Sequence, residues 1–339
     1  MSMTTAAVLG TGAWGTTFAQ VLADADVSVT MWGRNADTIS FINGGENPTY
    51  LPGIALSERI SATTDIAEAV TGRELVVVAV PVKAVRATLS AARGSFAPDT
   101  ALLSLAKGLE LGSLKRVDEI IAEASVVPSS RIAVLSGPNL SREIAERQPT
   151  ATVVAATDVE LAKKIAKTCH NSYFRPYVSA DVVGTEIAGA TKNVIAVAIG
   201  AAEGMGLGIN TRSTLVTRGL AEMTRLGTAL GADPATFAGL SGIGDLVATC
   251  SSRLSRNFSL GHRLGSGMSL AEALALSPGV VEGVASASPI LQVAASVGVD
   301  MPITGAVVEV VEGRASIEDM GRMLLSRPQK MDGWKIELV

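Results

Sequence analysis

Lys192 is the residue in this sequence best placed for acid–base chemistry. It precedes the apolar run 194–199, which indicates a buried helix. A lysine in such surroundings loses solvation of its ammonium group, and proton transfer near neutral pH becomes easier. The alternative is a lysine whose stem lies on the core while its head reaches water. We favour catalysis because neither His170 nor His262 lies in a recognisable motif.

A second lysine, Lys107, directly follows the apolar stretch 102–105. Such a stretch is typical of a parallel strand buried on both faces. Ligands of open α/β sheets bind at the carboxyl ends of the strands, so we expect Lys107 at the ligand edge. The alternative is a solvated cation in a surface loop.

One aspartate and one polar triplet in the second half complete the set of candidate chemical groups. Asp245 follows a glycine-rich turn where a helix begins, so it is either a site carboxylate or only a helix N-cap. The triplet 255–257 places a guanidinium beside an amide, and this pair can hold a phosphate through several hydrogen bonds. Glu282 lies near another helix start, and its spacing alone indicates little.

A predicted dinucleotide-binding element lies near the N-terminus. Residues 6–9 predict a short buried strand, and an amphipathic helix follows. Between them, Gly10, Gly12 and Gly15 have the G-x-G-x-x-G spacing of dinucleotide-binding folds. We expect Gly10 to make the tight turn, Gly12 to let a pyrophosphate approach and Gly15 to let the helix pack. The helix N-terminus favours phosphate, although a merely structural turn is the alternative.

The end of the second predicted strand bears on which dinucleotide is used. Residues 27–32 alternate and end about 20 residues after the glycines, where NAD-specific folds carry an acidic residue. This sequence has Arg34 there, and an arginine can pair with a 2′-phosphate. NADPH is therefore favoured and NAD remains possible, while an ordinary surface arginine is the alternative.

Further apolar runs extend the predicted sheet. Residues 75–80, 102–105 and 132–135 indicate buried strands, and the runs 151–155 and 173–178 indicate later strands that could be antiparallel. Because strands alternate with helices, the first half is predicted to be a doubly wound, Rossmann-like sheet.

Helical patterns replace the strands after about residue 180. A long apolar helix is predicted over 183–203 and an amphipathic one over 211–230. Asp233 precedes a proline and starts another helix, and Ser269 begins a capping box. The predicted fold class is α/β, with a dinucleotide-binding domain over 1–180 followed by an all-α substrate-binding domain over 181–339.

Composition limits the function classes. The 339 residues are 47% hydrophobic and carry a net charge of −4 without a basic run, which disfavours nucleic-acid binding. Two separated cysteines fit a reducing cytosol, predict no disulfide framework and form no metal-ligand cluster with the histidines. We see no signal peptide, and apolar runs such as 194–202 are too short to cross a bilayer, so no membrane insertion is expected.

Seven motifs, in order, resemble the bacterial soluble type of NAD(P)-dependent glycerol-3-phosphate dehydrogenase. The resemblance extends through nearly the whole chain and is far more specific than any one motif. The motifs lie at 10–16, 106–110, 137–138, 191–193, 244–246 with 249–250, 255–257 and 281–283.

The resemblance implies reduction of dihydroxyacetone phosphate to glycerol 3-phosphate, with Lys192 as proton donor or acceptor. Lys107 would polarise or orient the reacting oxygen, Asp245 would position Lys192 or a substrate hydroxyl, and no metal is needed. The implied substrate residues are Lys107, Gly137, Asn139, Lys192, Asp245, Ser255, Arg256 and Asn257. The implied cofactor residues are Gly10, Gly12, Ala13, Trp14, Gly15, Arg34, Asn35, Tyr50, Lys107, Ser141, Arg256, Val280 and Glu282.

The family resemblance also implies a cytoplasmic homodimer that supplies glycerol phosphate for phospholipids. Some positions depart from the family pattern. Thr11 and Ala13 replace an alanine and a serine of the glycine motif, which removes one hydroxyl near the pyrophosphate. Asn139 and Ser141 replace the usual serine and alanine after the Gly-Pro pair, although Asn139 can still form hydrogen bonds.

Two other functions remain as alternatives. Dehydrogenases of the β-hydroxyacid or 6-phosphogluconate type share the predicted architecture, but they place an asparagine four residues after the lysine, where this chain has Ala196. A catalytically silent dinucleotide sensor would not need Lys107, Lys192 and Asp245 together. Substrate-dependent turnover would separate an enzyme from a sensor.

Overall fold

The first half of the chain forms one eight-stranded sheet in the structure, a computed structural model that describes residues 2–277 and 279–325. The predicted strands are present, and the end of the predicted second domain, 326–339, lies outside the described residues. The strands are β1 (Thr5–Leu9), β2 (Ser28–Trp32), β3 (Ile60–Thr63), β4 (Leu75–Val78), β5 (Ala101–Ser104), β6 (Ile132–Ser136), β7 (Thr150–Ala156) and β8 (Phe174–Ser179).

Helices alternate with these strands and then continue alone. The helices of the first half are α1 (Ala13–Ala23), α2 (Ala36–Asn43), α3 (Ile66–Val70), α4 (Val82–Ala92), α5 (Val117–Ser125), α6 (Ser141–Ala145) and α7 (Val159–Cys169). Those of the second half are α8 (Val182–Gly204), α9 (Ile209–Ala229), α10 (Pro234–Phe237), α11 (Asp245–Cys250), α12 (Arg256–Gly265), α13 (Leu270–Ala275), α14 (Glu282–Ser296), α15 (Pro302–Val311) and α16 (Ile317–Leu325).

The strand order is β3-β2-β1-β4-β5-β6-β7-β8, which is the order of a doubly wound sheet with two strands added at one side. All neighbours are parallel except β6 and β7. The antiparallel pairing left open for the later strands therefore occurs once, because β8 is parallel to β7. The sequence patterns did not predict β3, a four-residue edge strand with one exposed and one partly exposed position.

Alternate residues of each central strand feed two hydrophobic cores, one on each side of the sheet. Ala6 and Val8 of β1 pack with α1, α2, α6 and α7, whereas Ala7 and Leu9 pack with α3, α4 and α5. This burial on both faces explains why the strands have uninterrupted apolar sequences.

The second half contains only helices among the residues described after 181, as predicted. Asp233 and Ser269 cap their helices as expected, and Ser269 forms the capping box with Glu272. The central helix α8 is buried along nearly its whole length. A Cβ on Gly200 of α8 would lie 2.1 Å from the carbonyl oxygen of Phe258 in α12, so the two backbones pack in direct contact.

The described residues contain one helix long and apolar enough to span a membrane, and this is α8, with 23 residues and a mean hydropathy of 1.4. The expectation that every apolar run is too short to span a bilayer was therefore wrong for α8, because small residues extend its apolar sequence beyond 194–202. The helix is 94% buried inside the fold over its most apolar window, as expected of a core helix.

Gly200→Ala is expected to destabilise the fold by about 1–3 kcal/mol, because the added methyl group meets backbone that cannot turn aside. Urea unfolding measures the change. The matched control is Gly305→Ala in α15, where the nearest atom to an added Cβ is a Leu291 methyl 4.0 Å away. That variant should be neutral or stabilised by up to about 1 kcal/mol, and equal effects of the two substitutions would contradict the close packing.

Candidate functional site

The site lies where the carboxyl ends of β5 and β6 meet the helices of the second half. Lys107 follows β5 and Gly137 follows β6, while Lys192 comes from the middle of α8 and Asp245 from the first turn of α11. The sheet edge is the position predicted for Lys107. The fold brings all four residues together across both halves of the chain.

Asp245 joins the two lysines. Its Oδ2 accepts a hydrogen bond from Lys107 Nζ at 2.7 Å, and its Oδ1 accepts one from Lys192 Nζ at 2.5 Å. Lys107 Nζ also donates to the carbonyl of Gly137 at 3.2 Å. The N-cap alternative for Asp245 is therefore wrong, since its carboxylate bonds to the lysines and α11 begins without a side-chain cap.

Burial and charge set the protonation of this cluster. The Asp245 side chain is 1% exposed and that of Lys192 8%. Burial alone would raise the pKa of Asp245, but Lys107 and Lys192 hold it below its ordinary value. Desolvation lowers the pKa of Lys107 to about 8, because the attraction of Asp245 only partly offsets it. Lys107 can therefore hold or release its proton near neutral pH.

Sequence reasoning missed the role of Thr249 in this cluster. Its Oγ1 accepts a hydrogen bond from Lys192 Nζ at 2.6 Å and donates to Asp245 Oδ1 at 3.3 Å. The sequence did contain a signal for this contact, namely the spacing of Asp245 and Thr249, because residues four apart on a helix share one face. Burial raises the pKa of the adjacent Cys250 to about 12, so that thiol stays protonated.

Gly189 lets the two halves of the site approach each other. A Cβ there would lie 3.0 Å from Ser136 Oγ and 3.3 Å from Lys107 Cγ. The stem of Lys107 thus passes directly against α8. A glycine in a helix allows such close packing, but the residue that it contacts could not be predicted from the sequence.

The predicted phosphate-binding triplet begins α12. Ser255 is the N-cap and accepts from the Phe258 N–H at 3.3 Å, while the Arg256 side chain is exposed. Asn257 is buried, accepts from the Gly283 N–H at 2.9 Å and donates to Asn193 Oδ1 at 2.9 Å. An amide nitrogen has two donors and a hydroxyl one, so Asn257 and Ser255 each keep one for a ligand.

Gly137 and Asn139 form the turn after β6. Gly137 has φ 149°, and a Cβ there would lie 2.9 Å from Thr152 Oγ1, so only glycine fits without strain. Asn139 Nδ2 donates to Thr152 Oγ1 at 3.3 Å, and its Oδ1 is buried without a partner among the described residues. Asn139 is therefore an unsatisfied acceptor beside the site.

The glycine turn has the geometry predicted for each glycine. A Cβ on Gly10 would lie 2.7 Å from the Ala79 carbonyl oxygen, and one on Gly15 would lie 2.2 Å from that of Gly10. Gly12 has open space where its side chain would stand, and it starts α1 without a side-chain cap. These features fit a pyrophosphate, because backbone N–H groups at a helix start are free and approachable. Trp14 Nε1 is also buried there without a described partner.

The other predicted cofactor residues lie at strand and helix ends. Arg34 is exposed after β2 and has no hydrogen bond or ion pair with any described residue, whereas Asn35 caps α2 by accepting from the Thr38 N–H at 2.9 Å. Tyr50 is 43% exposed. Ser141 accepts a hydrogen bond from Thr17 Oγ1 through its carbonyl at 3.2 Å, and its side chain is partly exposed.

Glu282 and Val280 come from the second half of the chain. Glu282 Oε1 accepts a hydrogen bond from the Val82 N–H at the start of α4, at 3.3 Å. Burial raises the pKa of Glu282. Val280 is partly exposed immediately before α14. The helical half thus contacts the sheet edge at β4, next to the glycine turn on β1.

Candidate metal ligands are scattered over the described part of the chain. No group of three or more His, Cys, Asp or Glu side chains there could hold a metal ion. His170 is the C-cap residue of α7, and His262 lies in α12 with its Nε2 3.3 Å from Arg253.

Comparisons with known proteins agree over almost the whole chain. Residues 5–162 match the family model described as the N-terminus of NAD-dependent glycerol-3-phosphate dehydrogenase, and residues 181–322 match the one for its C-terminus. A glycerol-3-phosphate dehydrogenase (NAD(P)+) of Streptomyces griseus is 54% identical, covering 96% of this chain and 97% of the relative. One from Thermobifida fusca is 54% identical, with coverage of 90% and 92%.

A solved structure shows the same fold. The crystal structure of glycerol-3-phosphate dehydrogenase from Coxiella burnetii superimposes with a TM-score of 0.91 at 31% identity. The match covers 96% of this chain and 99% of that one.

Proposed function

This chain belongs to the NAD-dependent glycerol-3-phosphate dehydrogenase family, and on that premise we propose how its residues perform the reaction. The protein is an NAD(P)-dependent oxidoreductase that interconverts dihydroxyacetone phosphate and sn-glycerol 3-phosphate. The observation that carries the mechanism is the buried cluster of Lys107, Asp245 and Lys192 at the sheet edge.

Lys192 is the proton donor in the direction of reduction. When bound, the reduced nicotinamide supplies hydride to the carbonyl carbon, and the oxygen gains negative charge. Lys192 Nζ gives this oxygen a proton while Asp245 and Thr249 hold the ammonium group in position. In the reverse direction Lys192 takes the proton of the hydroxyl group.

Lys107 stabilises charge in the same step. Lys107 donates to one carboxylate oxygen of Asp245 and Lys192 donates to the other, so a single carboxylate positions both ammonium groups. A preorganised cation in a buried site stabilises a developing oxyanion without reorganising solvent. No metal is needed for this step, because the two lysines supply the positive charge.

The phosphate of the substrate is held away from the reacting carbon by Ser255, Arg256 and Asn257, and Gly137 and Asn139 are further substrate-binding residues. Arg256 supplies charge, and the remaining donors of Ser255 and Asn257 supply direction. Binding at this remote group orients the carbonyl toward Lys192.

The cofactor is held by Gly10, Gly12, Gly15 and the first turn of α1, with Ala13 and Trp14 in that turn. Around it lie Arg34, Asn35, Tyr50, Lys107, Ser141, Arg256, Val280 and Glu282. Both NAD and NADP fit the names of the relatives, and Arg34 favours NADPH.

The direct test is oxidation of NADPH and of NADH by the purified protein with dihydroxyacetone phosphate, followed by the loss of the absorbance of the reduced nicotinamide. Turnover that requires the substrate supports the assignment. Binding of cofactor without turnover would overturn it in favour of a dinucleotide sensor.

Arg34→Gln is expected to raise the KM for NADPH about tenfold and to leave that for NADH nearly unchanged, because only NADPH has a 2′-phosphate. The matched control is Arg59→Gln, an exposed arginine that pairs with Asp26 at the amino ends of β2 and β3, at the opposite edge of the sheet from Arg34. An equal loss for both cofactors would show that Arg34 does not read the 2′-phosphate.

We further propose a cytoplasmic homodimer that supplies glycerol phosphate for phospholipid synthesis. Family membership and the exposed apolar side chains Leu207 and Ile209, at 41% and 66%, support a contact between copies. The proposed domain boundary is residue 180, between β8 and α8. Sedimentation equilibrium tests the oligomeric state, and a monomer at micromolar concentration would contradict it.

A further inference from the structure

The loop 44–56, between α2 and β3, places one buried side chain against the glycine turn. Asn47 has no exposed surface, and its Nδ2 donates to the Thr11 carbonyl at 2.9 Å and to Thr16 Oγ1 at 2.8 Å. Thr16 Oγ1 also donates to the same carbonyl at 3.3 Å. The Thr11 carbonyl therefore has two donors inside the protein.

The loop that carries Asn47 is tied down at its base and near its tip. The Leu56 N–H donates to the Gly45 carbonyl at 2.8 Å, and Glu46 forms an isolated bridge with Ala55. Arg142 of α6 donates to the Pro52 carbonyl at 2.6 Å. Asn47 is thus presented to the turn by a closed loop.

Holding the Thr11 carbonyl also fixes the next N–H group. A trans peptide is planar, and its C=O and N–H point in opposite directions. With the Thr11 carbonyl held inward on Asn47, the Gly12 N–H is directed the other way. A rotation of this peptide would turn the N–H away and present a carbonyl oxygen, which repels an anion.

We infer that Asn47 is a positioning residue for the dinucleotide pyrophosphate, acting through the peptide that joins Thr11 and Gly12. The inference rests on the proposed function, namely that the turn binds a nicotinamide dinucleotide. Asn47 does not touch the reacting atoms, and its effect is on cofactor affinity.

A second observation separates this role from simple structural support. Asn47 Oδ1 is buried without a partner among the described residues. An unpaired buried acceptor costs free energy and offsets part of what the two donor bonds contribute to folding. Substitution should therefore affect binding more than stability.

The experiment measures binding to the full chain by isothermal titration calorimetry with NADPH, NADH and ADP-ribose. Asn47→Ala removes the donor, and Asn47→Asp keeps the shape but replaces the donor with an acceptor. We expect each variant to raise the Kd for all three ligands by the same factor, about ten- to a hundredfold, because all three contain the pyrophosphate.

Asn43→Ala is the matched control. The Asn43 amide donates to the Ala62 carbonyl at 3.0 Å and accepts from the Ala62 N–H at 2.7 Å, so its side-chain hydrogen bonds tie α2 to β3 and not to the glycine turn. This variant should lose stability while its Kd stays within threefold of wild type. In turnover assays, Asn47→Ala should raise the cofactor KM, with kcat and the substrate KM nearly unchanged.

The outcomes separate the two hypotheses. A wild-type chain that binds no dinucleotide overturns the proposed function and this inference together. A wild type that binds while folded Asn47 variants bind equally well overturns the inference alone, as does an equal loss of affinity in Asn43→Ala. If Asn47→Ala does not fold, Asn47→Asp and Thr16→Val decide the question, because each keeps most of the buried volume.

Discussion

Lys192→Met is expected to lower kcat by about 10²–10⁴-fold, the range for loss of a positioned general acid, while the dinucleotide still binds with a Kd close to that of wild type. Methionine keeps most of the side-chain volume, so the effect reports the lost proton donor rather than a cavity. Lys192→Ala should lose at least as much. Steady-state kinetics together with calorimetric titration of NADPH separate the two quantities.

The variant Lys192→Arg distinguishes two possible roles of Lys192, proton transfer and stabilisation of negative charge. Arginine keeps a cation opposite Asp245, but its guanidinium is too weak an acid to donate a proton at neutral pH. Activity should remain low if Lys192 transfers a proton and should largely return if it only stabilises charge. Lys163→Ala is the control, since Lys163 is 58% exposed in a surface pair with Glu160. Near-wild-type activity of Lys192→Met would overturn the assignment.

Asp245→Asn is expected to destabilise the fold by about 3–5 kcal/mol and to abolish most of the activity. The substitution leaves two buried ammonium groups, on Lys107 and Lys192, without their shared counter-charge. The pKa of Lys107 should fall further below about 8, because desolvation would no longer be opposed by the carboxylate. Guanidinium chloride unfolding measures the stability change.

The difference in unfolding free energy between wild type and Asp245→Asn is expected to depend on pH in a defined direction. Asp245 has a pKa below its ordinary value of 3.8, so its contribution to stability is complete above that pH and is lost as pH falls further. Because protonated Asp245 resembles asparagine in charge, the gap between wild type and Asp245→Asn should shrink as pH falls below about 4. It should also narrow as pH rises toward 8, because Lys107 loses its proton at a lower pH in the variant than in wild type.

Asp26→Asn is the matched control for Asp245→Asn. Asp26 also pairs with a cation, Arg59, but its side chain is 87% exposed. Such surface pairs contribute about 0–1 kcal/mol, and asparagine tolerates the left-handed backbone that Asp26 has at φ 65°. A loss in Asp245→Asn no larger than that in Asp26→Asn would contradict the buried charge cluster.

Local patterns were sufficient for the central strands, the long helices of the second half and the glycine turn. Continuous apolar runs predicted the central strands because those strands are buried on both faces. The spacing of Gly10, Gly12 and Gly15 predicted three different roles, and each glycine has the predicted surroundings. The edge strand β3 was missed because a short, half-exposed strand has no such pattern.

The residues that the sequence singled out for chemistry were Lys192, Lys107 and Asp245, but their relation was not visible in it. Asp245 follows glycines at a helix start, where a cap and a site carboxylate have the same local sequence. Which of these two roles Asp245 has depends on Lys107 and Lys192, which are 138 and 53 residues away along the chain.

Residues close together in the chain were thus enough to predict the central strands, the long helices of the second half, the glycine turn and the candidate groups. Which of these groups meet depends instead on the tertiary fold. It joined both lysines to one carboxylate, added Thr249, engaged most of the Asn257 amide and placed Asn47 behind the glycine turn. Such contacts depend on how β5, α8, α11 and the loop 44–56 pack, and no local pattern encodes that packing.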